Sequence, residues 1–187
     1  PLINPGVANL IGLMATIAIF WGSIQALLAR RLKMLVAYST VAQIGYIFLV
    51  FPLSSMPPAG QTAWQGGLYF VLSHACAKAA VFLSAGNVIY CVGHDRISDL
   101  KGIVRRLPVS MFAFALAGVS LIGLPPSGGF VAKWLYLNAA LTTGQWWWAV
   151  LILFGGLLST AYVFRFFSRA FSHSEQTIAG RPVPPMM

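Results

Sequence analysis

Five long apolar runs, at about residues 10–29, 34–51, 64–92, 108–140 and 146–171, fill most of this chain. Inside them only Lys78, Lys133 and, near the last end, Arg165 and Arg169 carry charge. A soluble domain carries about 25% charged residues; here the figure is 8%, against 58% hydrophobic. About 20 apolar residues span a bilayer core, and a single segment satisfies its own backbone there only as a helix. The fold class is therefore all-α and polytopic, with about five transmembrane helices in one membrane domain over residues 1–171. Residues 1–9, with two prolines and two asparagines, read as a lead-in loop, and residues 52–62 as an uncharged loop. The proline-bearing stretch 172–187 reads as an irregular cytoplasmic tail. The chain starts at Pro1 without a basic n-region or a small-residue cleavage site, which suggests a piece of a longer chain or a processed product.

The net charge of +9 does not form a nucleic-acid footprint. Five crossings put Arg30, Arg31, Lys33, Arg96, Lys101, Arg105, Arg106, Arg165, Arg169 and Arg181 all on one side, and the opposite loops hold no basic residue. That is the positive-inside pattern. It predicts an N-terminus outside and a C-terminus in the cytoplasm, and it leaves Lys78 and Lys133 as the basic residues within the bilayer. Residues 93–107 form the longest polar connection and read as a short amphipathic piece on the membrane surface. Trp146, Trp147 and Trp148 fit an aromatic belt.

The fourth run cannot be one straight crossing. At 1.5 Å per residue it would be about 50 Å long, against a hydrocarbon core of about 30 Å. Gly123, Pro125, Pro126, Gly128 and Gly129 supply the break, and Lys133 follows it. Irregular backbone at membrane depth is tolerated only where protein or a water-filled cavity covers it.

Lys78 lies about 18 Å of helix from the nearer end of its span, too far for its stem to reach a headgroup. No acid lies in any span: Asp95, Asp99 and Glu175 all fall in cytoplasmic segments. Intramembrane lysines are functional candidates, because amines in low-dielectric sites exchange protons near neutral pH. His74 lies one turn before Lys78 and shares its face. The candidate proton relay is thus His74, Lys78 and Lys133. Ser39, Gln43 and Tyr46 form one face of the second span, and with Tyr38 and Ser127 they are possible water-relay neighbours. The bland alternatives are lysines that bind lipid headgroups or water, and polar residues that serve helix packing.

Other chemistries are poorly supported. The glycines at 123–129 have neither a phosphate-loop ending nor a dinucleotide fingerprint. His74, His94 and His173 are scattered, and Cys76 and Cys91 have neither metal-ligand nor redox-motif spacing. No cofactor, no metal, and no redox or hydrolytic active site is expected, and no nucleic acid as partner.

Three segments carry a family resemblance. Residues 31–46 (RLKMLVAYSTVAQIGY), 73–83 (SHACAKAAVFL) and 123–133 (GLPPSGGFVAK) resemble, in the same order, three motifs of the antiporter-like membrane subunits. Those subunits occur in respiratory complex I, membrane-bound hydrogenases and Mrp-type cation/proton antiporters. The resemblance implies that Lys78 matches the central lysine of the second half-channel, and Lys133 the lysine near the outward exit. His74 matches the histidine before the central lysine, and Gln43 falls where some members carry histidine. Members have about fourteen spans built from two inverted five-helix repeats, a common transporter device; this chain resembles the second repeat.

The expected function is proton translocation as part of a redox-driven pump such as NADH:quinone oxidoreductase. An Mrp-type antiporter subunit and a structural membrane subunit without transport are the alternatives. The expected partners are the lipid bilayer, other membrane subunits of a multi-subunit complex, and the missing N-terminal half or a subunit that supplies it. The expected location is a bacterial inner membrane.

Overall fold

The structure, a computed structural model, describes residues 4–172. Helix α1 (Pro5–Leu28) starts earlier than the apolar run does. The Asn4 side chain accepts a hydrogen bond from the Gly6 amide at 2.8 Å, and Pro5 occupies the first helical position, where its lack of an N–H costs nothing. The residues read as a lead-in loop are therefore, from Asn4 on, a cap and a first turn. Residues 1–3 and the predicted tail beyond Ser172 lie outside the described residues.

Helix α2 (Leu32–Phe48) is followed by the short α3 (Val50–Ser54), so the predicted loop at 52–62 shrinks to residues 55–59. Pro52 does not end the span because it sits in the first turn of α3, where its missing N–H has no helical partner to lose. Helix α4 (Gly60–Val92) is unbroken over 33 residues. Next come a 3₁₀ turn (Ile97–Asp99) and a single helical turn, α5 (Ile103–Arg106). Ile97, Leu100, Ile103 and Leu107 recur at helical spacing and are all buried, so this connection is amphipathic as read. It is also pinned by backbone pairing. Leu32 N donates to Asp95 O at 2.7 Å, and Ile97 N to Arg30 O at 3.0 Å.

The predicted fourth span is two helices, α6 (Pro108–Ile122) and α7 (Gly128–Thr142), with a turn between them. Helix α8 (Trp146–Ala170) closes the bundle. Trp146 and Trp147 face outward, but Trp148 is buried and donates to Gln145 Oε1 at 3.0 Å. Taking α2 with α3 as one span, four helices are long and apolar enough to cross a membrane, and α6 is a shorter apolar helix. This is a polytopic, all-α membrane protein.

Its polarity is inverted relative to a soluble bundle. On α1 the outward residues are Leu13, Met14, Ile17 and Trp21, while the buried stripe is Ala8, Gly12, Ala15, Ile19, Gly22, Ser23 and Ala26. Small residues let helices approach closely where burial of apolar surface gives no advantage over lipid.

The buried apolar residues fall into two clusters. One gathers Leu35 and Val36 of α2, Val81 and Val88 of α4, Phe114 of α6 and Phe166 of α8. The other gathers Tyr46 of α2, Leu49 between α2 and α3, Phe70 of α4, Tyr136 of α7 and Ile152 of α8. Ser39 and Gln43, His74, and Ser159 lie between the two groups on α2, α4 and α8. The first cluster ends on α6 and the second begins on α7, so the helix break falls at the same level. A polar layer separates two apolar halves.

Candidate functional site

At the break, α6 ends on Gly123 in the left-handed conformation, φ 87°. A helix end leaves four carbonyls without intrahelical partners, and these carry the negative end of the helix dipole. Lys133, one turn into α7, answers them. Its Nζ donates to Leu121 O at 3.1 Å and to Ile122 O at 2.7 Å, and it lies 4.7 Å from the centre of the Tyr46 ring, within cation–π range. The lysine is 7% exposed. A side chain at Gly123 would press on the Lys133 stem at 2.7 Å.

Gly129 permits the other half of this geometry. A Cβ there would run into the Ser120 carbonyl oxygen, so α7 folds back onto α6 only with glycine at this position. Ser127 caps α7 by accepting from Phe130 N at 3.2 Å.

The second lysine is held by α2. Lys78 Nζ donates to Ser39 Oγ at 2.6 Å and to Val36 O at 3.1 Å, and Lys78 is 6% exposed. Ser39 Oγ in turn donates to Val36 O at 2.9 Å. Both lysines therefore sit among neutral acceptors. No carboxylate pairs with either among the described residues.

Gln43 joins the two regions. Its Nε2 donates to Leu121 O at 3.1 Å and reaches Ser159 Oγ and Tyr162 Oη, each at 3.3 Å. The Leu121 carbonyl is thus shared by Gln43 and Lys133. Beside it is a cavity of about 10 Å³ lined by Gln43, Phe70, Ser73, His74, Ser120, Leu121 and Gly129, about the space one water needs. His74 Nδ1 is buried and has no hydrogen-bond partner among the described residues.

The structure brings His74, Lys78, Lys133, Ser39 and Gln43 together, with the Tyr46 ring of the second apolar cluster against Lys133. Tyr46 also donates from its hydroxyl to Ile152 O at 3.2 Å. Tyr38 instead packs, half-buried, against the first apolar cluster. Sequence reasoning missed Ser159 and Tyr162 of α8, and Ser73 and Ser120, whose hydroxyls are 2.7 Å apart. A signal existed for the first pair: they are three residues apart on a largely apolar span, hence on one face.

The model of the NADH:quinone oxidoreductase/Mrp antiporter transmembrane family matches residues 2–159. The chain belongs to this family. It is 38% identical over 180 residues to NADH-quinone oxidoreductase subunit N of Desulforudis audaxviator, covering 95% of this chain and 35% of that protein. Its fold is similar to a chain of the Mrp complex from Dietzia sp., with a TM-score of 0.83 at 28% identity, covering 93% of this chain and 32% of that one. It is also similar to a chain of respiratory complex I from Thermus thermophilus, with a TM-score of 0.72 at 29% identity, covering 95% and 39%. The chain thus spans about a third of the length of the relatives it matches.

Proposed function

We propose that this chain is a proton-translocating half-channel of an antiporter-like subunit. Lys78, His74 and Lys133 are its exchanging groups, and the cavity water and Gln43 are its intermediate links. The observation that carries the reading is the buried His74 Nδ1, without a hydrogen-bond partner among the described residues, in the lining of a water-sized cavity that Leu121 also lines, its carbonyl accepting from Lys133. Among the described residues no acid holds either lysine as a fixed ion pair, so no carboxylate there locks either charge in place. Chains of such groups bridged by water and hydroxyls are the usual means of moving protons through a membrane.

A proton on Lys78 is held by Ser39 Oγ and Val36 O. It passes to His74, one turn away on the same helix, and across the cavity to Lys133. The loose carbonyl end of α6 stabilises the ammonium form of Lys133 by hydrogen bonding and by its dipole. The driving force comes from outside this chain, from a redox module or a counter-ion gradient, and no substrate is chemically changed here.

The surrounding assembly follows from the same reading. The rest of the parent subunit or a neighbouring membrane subunit supplies the other half-channel. We place the chain in a bacterial inner membrane, and the basic residues at one end of its helices put the N-terminus outside and the C-terminus in the cytoplasm.

The test is proton pumping by the full-length parent in its complex, reconstituted into liposomes. Lys78→Ala and Lys133→Ala should each lower pumping by at least about tenfold, as expected when an obligate exchange group is lost. Wild-type stoichiometry in both variants would sink the assignment. The likeness to the Mrp complex chain favours, as a second reading, exchange of protons for a cation. Sodium-dependent proton movement without a redox substrate would select it.

A further inference from the structure

At the basic end of the bundle, away from both lysines of the polar layer, a pocket of about 190 Å³ is lined by Arg30, Ile97, Ser98, Arg165 and Arg169. Three helical features converge on it. Arg30 follows the end of α1, Arg165 and Arg169 lie one turn apart near the end of α8, and Ser98 sits in the 3₁₀ turn.

Arg165 is fixed. Its Nη1 donates to Leu27 O, and to Ala29 O at 3.0 Å, which satisfies the last carbonyls of α1. Its Nη2 and Nε have no protein partner among the described residues. Arg30 and Arg169 are exposed and form no ion pair among the described residues. The nearby acids are already engaged. Asp95 lies 3.9 Å from Arg31 Nε, and Asp99 accepts from Ser98 Oγ at 2.6 Å. Neither lines the pocket. Among the described residues, three guanidinium groups thus border one concave space that no carboxylate lines.

We propose that this pocket binds a phosphate-bearing anion. Arg165 is the preorganised fork, and Arg30 and Arg169 are the flanking charges. Guanidinium matches phosphate oxygens in geometry as well as in charge. The pocket lies where α1 and α8 end, hence at headgroup level. Basic pockets between transmembrane helices on this side of a membrane suit anionic lipid headgroups. The ligand is therefore the phosphodiester of an anionic phospholipid or free phosphate.

The test uses the full-length parent protein in detergent. Binding of dioleoylphosphatidylglycerol, dioleoylphosphatidylcholine and inorganic phosphate is measured separately by native mass spectrometry. The wild type should retain phosphatidylglycerol saturably and phosphatidylcholine weakly. Arg30→Gln/Arg169→Gln, which leaves the helix-capping Arg165 in place, should weaken phosphatidylglycerol binding on the order of thirtyfold, from the usual attraction per basic residue at an anionic surface. Arg30→Lys/Arg169→Lys should keep most of it.

Arginine-dependent binding of inorganic phosphate that also displaces the lipid assigns the pocket to free phosphate. Wild-type affinity for both probes in a Gln double variant with an unchanged thermal midpoint overturns the proposal. So does arginine-dependent phosphatidylcholine binding equal to that of phosphatidylglycerol.

Discussion

Leu121 offers one carbonyl to side chains from two other helices, Gln43 of α2 and Lys133 of α7. It can do so because α6 ends there and leaves the carbonyl without its usual partner. Gln43 thereby connects α2, α6 and α8 through one amide nitrogen. Gln43→Leu removes these bonds and puts an apolar group on the cavity wall. Hydrogen bonds between membrane helices average about 0.6 kcal/mol each, so stability should fall by only about 1 kcal/mol, read as a small drop in thermal midpoint in detergent. Proton transport should fall much further. Gln43→His restores a polar, exchangeable group and should recover most transport. Equal transport in Gln43→Leu and wild type would remove Gln43 from the relay.

At the scale of elements, the α6–α7 break is a packed joint rather than a slack loop. Its turn is bounded by Gly123 at the end of α6 and by the Ser127 cap of α7. Its closest point is Gly129 against the Ser120 backbone. Gly129→Ala forces two helices apart, and overpacking of this kind costs about 1–3 kcal/mol. Gly86, also helical, has open space around its Cβ position. Gly86→Ala should stabilise by roughly 0.5–1 kcal/mol through the backbone entropy of the unfolded chain. Thermal unfolding of the two variants side by side checks the joint. A Gly129→Ala protein as stable as Gly86→Ala would show that α6 and α7 slide freely.

For the whole molecule, the polar layer and the charge distribution make separate statements. The layer divides the buried apolar residues into two clusters and places His74 between them on α4. The charges gather at one end, where Arg165 ties α8 to α1 and the 93–107 connection pairs with the α1–α2 turn. If that end is cytoplasmic, Thr142→Cys, in a Cys76→Ala/Cys91→Ala background, should react with a membrane-impermeant maleimide on intact cells. Lys101→Cys should react only after lysis. The reverse pattern would invert the orientation.

The sequence by itself determined the class of solvent, the all-helical class, the broken fourth run and the two lysines. Each follows from one-dimensional quantities: run length against bilayer thickness, charge against loop position, and glycine and proline against helix continuity. It also put His74 beside Lys78, since a four-residue spacing is local. What it left open is what each polar group touches. That Lys133 turns back to the carbonyls of α6, that Lys78 reaches Ser39 of α2 and that Gln43 meets Ser159 and Tyr162 of α8 all depend on contacts between distant segments. Asn4 and Pro5 read as loop in sequence but are the cap and first residue of α1. Tyr38, a possible water-relay neighbour by sequence, packs half-buried against the first apolar cluster. Polar residue types are legible along the chain, but their partners are set by how helices from different parts of the sequence pack in three dimensions, and only the tertiary structure decided that.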